Sequence, residues 1–86
     1  MEPLTIAEWP RNARETIRIS LSEYQGAPMI DVRVWFADGA GQAKSGRAGL
    51  TLSTAQLPRL AEALARAHAE ANARGLVPAN APRLSN

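Results

Sequence analysis

Arginines and aromatic rings recur together along the middle of this chain, and that pairing is the chemistry it offers. Arg18 and Tyr24 share the parity of one alternating stretch, Arg33 and Trp35 share that of the next, and Lys44 and Arg47 follow shortly after. Unpaired bases stack on rings at about 1–3 kcal/mol each, and arginine and lysine neutralise phosphates. A sheet face carrying both therefore suits single-stranded nucleic acid. The same pattern also fits strand aromatics half buried under a partner subunit, and the residues alone leave both open. Reaction chemistry has no comparable support. Ser20, Ser22, Ser45 and Ser53 have only His68 as a base, and a lone histidine on a helix ordinarily sits at the core edge or in solvent. Glu62 and Glu70, flanked by Arg59, Arg66 and Arg74, read as a solvated charged face. Gly39, Gly41, Gly46 and Gly49 match neither a phosphate-loop nor a dinucleotide spacing. The expectation is a protein that is not an enzyme, with no catalytic residues and no cofactor.

The elements that must position these side chains follow from periodicity. From Glu15, apolar Ile17, Ile19 and Leu21 alternate with Arg18, Ser20 and Ser22, the mark of a half-buried strand. Gln25-Gly26-Ala27-Pro28 is a turn. Ile30, Val32, Val34 and Phe36 then alternate with Asp31, Arg33 and Trp35. Asp38-Gly39-Ala40-Gly41 carries a hairpin signal. Residues 42–47 are expected to form a third, exposed strand and Leu50-Thr51-Leu52 a short fourth one. Ser53 and Gln56 have capping-box spacing. An alanine-rich helix is expected from Thr54 to Arg74, with a kink or tight first turn at Pro58 and a stop at Gly75. Residues 1–14 lack a clean period and read as an extended lead-in outside the sheet, with the ordered domain at 15–75. Residues 76–86 read as a flexible tail.

The chain has 86 residues, enough for one small domain that is marginally stable alone. It has no cysteine, so disulfides and thiolate metal sites are excluded, and one histidine makes no zinc site. No metal is expected. Self-association is the remaining supplement to a small core. Along the helix, Leu57, Leu60 and Leu64 with many alanines offer more apolar width than one small sheet covers, which marks them as a dimer interface. The net charge of +2 is too weak to announce nucleic-acid binding by itself. No apolar run reaches membrane-spanning length and no secretory signal is evident, so the expected location is cytoplasmic, at the nucleoid in a bacterial host, with no membrane partner.

The run Ile30-Asp31-Val32-Arg33, then Trp35-Phe36, then Lys44-Ser45-Gly46-Arg47-Ala48-Gly49-Leu50-Thr51-Leu52-Ser53 resembles the signature of the positive cofactor four family of transcriptional coactivators. There an I-D-I-R strand with aromatics precedes K-P-G-R-K-G-I-S-L and a helix. The resemblance spans roughly Glu15 to Arg66, and the Trp9-Pro10-Arg11-Asn12 lead-in is similar to bacterial relatives. It implies an α+β fold: a curved four-stranded antiparallel sheet followed by one C-terminal helix (ββββα), dimeric, binding single-stranded DNA with little sequence specificity in transcription, replication or repair. It carries the family's first-turn aromatic onto Tyr24, the strand arginine onto Arg33, the aromatic pair onto Trp35 and Phe36, and the basic loop pair onto Lys44 and Arg47. Family alignment favours Phe36 as the stacking ring, whereas alternation favours Trp35. Ala48 stands where the family has a second lysine, Gln25 and Ala27 stand where its first turn often has lysines, and Ser45 replaces a proline.

The function expected from this reading is single-stranded DNA binding by a homodimer, with RNA as the other candidate nucleic acid. The alternative is a module of the same fold that contacts the transcription machinery.

Overall fold

The computed structural model describes residues 1–84. Four strands form one open, curved antiparallel meander: β1 (Leu4–Pro10), β2 (Glu15–Tyr24), β3 (Ala27–Ala37) and β4 (Ala43–Ser53), in the order β1-β2-β3-β4. A 3-10 turn (Thr54–Gln56) leads into one helix, α1 (Leu57–Ala73). The expected ββββα order therefore holds, but the strands are not the four anticipated.

The lead-in expected outside the sheet contains β1. Glu8 pairs with Arg18 and Trp9 with Ile17. A register shift between Thr5 and Ala7 puts Leu4 on the same face as Ala7 and Trp9, which erases the period in the sequence. The two short strands expected at 42–47 and 50–52 are one strand, β4, beginning at Ala43. It too is irregular: Arg33 faces Gly49 whereas Trp35 faces Ser45, so three residues of β4 oppose Val34 alone. A Cβ on Gly49 would lie 2.6 Å from the Val32 carbonyl oxygen, so only glycine fits this close approach.

The turns follow local chemistry. Gln25 (φ 51°) and Gly26 (φ 82°) close the β2–β3 hairpin with both central residues left-handed. Between β3 and β4, the Asp38 carboxylate accepts the N–H groups of Ala40 (2.8 Å) and Gln42 (2.9 Å). Ser53 Oγ accepts from the Ala55 N–H at 3.2 Å, so the anticipated capping box is a 3-10 turn instead. Pro58 sits in the first turn of α1, where its missing N–H leaves no bond unmade and no kink is needed. The helix ends as expected: Gly75 (φ 70°) donates to Asn72 and Leu76 donates to Ala71, a Schellman closure. The tail expected at 76–86 is described only to residue 84, and its last two residues lie outside the described residues.

The core is thin. Among the described residues only Ile30 and Ser20 are buried. One sheet face gathers Ile17, Ile19, Leu21, Ile30, Val32, Val34 and Leu52, yet α1 packs mainly on its own 3-10 turn and makes little contact with any strand. Residues 61–70 are all exposed, Leu64 at 60%. The radius of gyration is 14.8 Å, where a compact chain of this length has about 12 Å. The accessible surface is 7017 Å², about 2,100 Å² more than a compact monomer of this size exposes.

Candidate nucleic-acid interface

The other sheet face is polar and open. Pairing aligns Arg18 with Arg33, Ser20 with Asp31, and Thr16 with Trp35 across β2 and β3, and Ser45 and Thr51 of β4 continue the rows. All of these but Thr16 line an open groove of about 450 Å³ that runs from Trp35 to Tyr24. Tyr24 stands at the hairpin tip, 67% exposed. Because Arg18 and Arg33 lie directly opposite one another, each needs its own counter-charge.

Arg33 is fully engaged. Its Nε donates to both Asp31 oxygens (3.1 and 3.2 Å), and its Nη2 donates to Asp31 Oδ1 and to Thr51 Oγ1 (both 3.0 Å). Its Nη1 reaches the Gly46 and Arg47 carbonyls at 3.2 and 3.3 Å. Thr51 in turn donates to Asp31 Oδ1 at 2.6 Å. The guanidinium thus clamps the irregular stretch of β4, where backbone carbonyls released from the ladder require donors. Sequence reasoning cast Arg33 as a phosphate ligand, but here its donors are spent on the protein.

Arg18 is held differently. Its guanidinium carbon lies 3.9 Å from the centre of the Trp35 ring, and its Nε donates to Glu8 of β1 at 2.9 Å. Trp35 itself is half-buried, and its indole N–H is shielded from solvent without a hydrogen-bond partner. Trp9, in contrast, shares the opposite face with Ile17.

The remaining expected residues do not line this groove. Phe36, 40% exposed, pairs with Lys44 on the apolar face, so Trp35 and not Phe36 points into the groove. Lys44 is exposed, 3.5 Å from the Asp38 carboxylate. The hydrogen bond from the Gln42 backbone, with further help from Ala40, Lys44 and Gly41, holds the Asp38 carboxyl below its usual range. Arg47 is exposed on the clamped stretch and makes no ion pair among the described residues. Arg14, overlooked in the sequence, is likewise exposed and lines a second hollow with Trp35 and Phe36. Its only signal was its place three residues after Arg11 in the lead-in. Of the helix residues, Leu57 and Leu60 are half-buried and Leu64 is exposed. Among the described residues no three acidic, histidine or cysteine side chains cluster as a metal site.

Comparison with known proteins places this architecture. The PC4 homologue from Burkholderia pseudomallei K96243 superposes in its tetragonal crystal form with a TM-score of 0.70 at 30% identity, covering 78% of this chain and 98% of that one. Its orthorhombic form gives 0.68 at 31%, covering 74% and 86%. The bacteriophage T5 homologue of the eukaryotic transcription coactivator PC4, implicated in recombination-dependent DNA replication, shares the fold at 19% identity, with a TM-score of 0.71 over 84% of this chain and 83% of that one. No curated protein matches. Residues 11–63 match the family described as Transcriptional Coactivator p15 (PC4), and the chain belongs to that family.

Proposed function

We propose that this protein binds single-stranded nucleic acid, DNA before RNA, without sequence specificity, as a homodimer, and that it is a binding protein and not an enzyme. The observation that carries the reading is the uncovered polar sheet face, where Trp35 and Tyr24 line one open groove of about 450 Å³. Stacking is sequence-tolerant because every base has a π-face. Arg18 inside the groove, Arg14 in the hollow beside Trp35 and the exposed Arg47 are the cations left to meet phosphates, whereas Lys44 pairs with Phe36 on the other face. Family membership supports a role in transcription, and the phage relative's link to recombination-dependent replication supports one in DNA metabolism. Such a protein would act in the cytoplasm, at the nucleoid in a bacterial host.

The homodimer rests on surface. The excess of about 2,100 Å² is more than the roughly 800 Å² each partner buries in a standard interface. The apolar sheet face and α1, with Leu57, Leu60 and Leu64, are where a second copy would pack. A rival reading, a protein-docking module of the same fold, is favoured by the internal neutralisation of Arg18 and Arg33. Titrating labelled oligo-dT at several salt concentrations separates the two. Binding that weakens with salt supports the nucleic-acid reading, and no binding at low salt rejects it.

A further inference from the structure

Glu8 has no role in the reading above, and it lies before residue 11, where the family match begins. Its carboxylate is nonetheless the acid paired with Arg18, and Arg18 covers one face of the ring proposed to stack bases. The two acid–arginine pairs of the groove differ in kind. Asp31, 17% exposed, is locked by Arg33 and Thr51. Glu8 is 50% exposed and makes a single contact to an Arg18 that is itself 23% exposed. An exposed pair of this sort is weak and exchangeable. A phosphate offers Arg18 the same oxygen acceptors as Glu8, and a base offers Trp35 a larger flat partner than a guanidinium.

We propose that Glu8 is a positioning residue that holds Arg18 over Trp35 in the free protein. Single strands then enter by exchange: a phosphate replaces Glu8 at Arg18, and a base replaces Arg18 on Trp35. Glu8 thereby lowers the affinity of the groove. The proposal rests on the single-strand reading of this site.

The test uses the full chain with Trp9→Phe, which leaves Trp35 as the lone tryptophan. Without nucleic acid, Glu8→Gln should raise quenching of Trp35 by acrylamide, because Arg18 no longer shields the ring. Unchanged quenching overturns the positioning role. With oligo-dT, Glu8→Gln should tighten binding about two- to five-fold, the range open to an exposed pair, and this gain should vanish in an Arg18→Gln background. An equal gain in both backgrounds would be the plain loss of a negative charge and overturns the exchange. If oligo-dT binds no variant, the single-strand reading fails, while the quenching result still decides whether Glu8 positions Arg18.

Discussion

Replacing Arg33 by methionine separates a structural arginine from a phosphate-binding one. The change keeps much of the aliphatic stem and removes every donor that Asp31, Thr51 and the Gly46 and Arg47 carbonyls receive from the guanidinium. Hydrogen bonds to charged groups contribute about 1.5–3 kcal/mol, and truncating one partner of a fully buried pair costs about 3–5 kcal/mol. The Arg33 and Asp31 side chains keep 20% and 17% of their exposure, so water re-enters and relieves part of the stranded charge. The expected loss is about 2–3 kcal/mol, a large share of a small domain's stability. Urea unfolding at fixed protein concentration measures it, since a dimer's midpoint depends on concentration. Oligo-dT titration of the folded variant should show an unchanged salt slope. A midpoint within about 0.5 kcal/mol of the parent, together with a log–log slope shallower by about 0.7, would refute the clamp and restore Arg33 as a phosphate ligand.

Arg47→Ala should weaken oligo-dT binding uniformly across sequences and flatten the salt slope by up to about 0.7, read by anisotropy, because a phosphate contact carries no base information. Gly49→Ala should destabilise by about 1–3 kcal/mol in the same urea assay, since its Cβ would meet backbone at Val32 and Arg33. Asp38 has a carboxyl pKa below the ordinary 3.8 in the folded protein, so its stabilisation is complete above that value and is lost as pH falls through the folded pKa. Asp38→Ala should therefore melt lower at neutral pH and lose less than the parent on acidification below about pH 4. Leu64→Asp should cost a monomer less than about 0.5 kcal/mol at so exposed a site. In the proposed dimer it should instead abolish the two-chain mass in light scattering, and a retained dimer with an unchanged melting temperature would remove α1 from the interface.

The alternation of β2 and β3 was legible because both strands pair without interruption, so period two survives in Ile17-Ile19-Leu21 and Ile30-Val32-Val34. The parts that were not legible are the irregular ones. Leu4, Ala7 and Trp9 share a face only because of the shift near Ile6, and no periodic template finds them. β4 looked like two strands because Gly46 to Gly49 break the alternation, and the carbonyls exposed there are claimed by a side chain thirteen or fourteen residues away. The site followed the same rule. Trp35, Tyr24 and Arg18 were placed correctly on the polar face by parity within their own strands. The partners that change their meaning, Glu8 for Arg18 and the β4 backbone for Arg33, come from other strands and leave no mark in local sequence.

The most direct test is a fluorescence titration of oligo-dT into the Trp9→Phe protein, excited selectively at the indole, in which all tryptophan emission comes from Trp35 on the polar face. Saturable quenching that weakens as salt is raised is the expected result. A Trp35→Phe protein that keeps Trp9 on the opposite face should give little signal while still binding labelled oligonucleotide. A salt-sensitive quench carried by Trp9 and absent from Trp35 would contradict the placement of the groove on this face of the sheet.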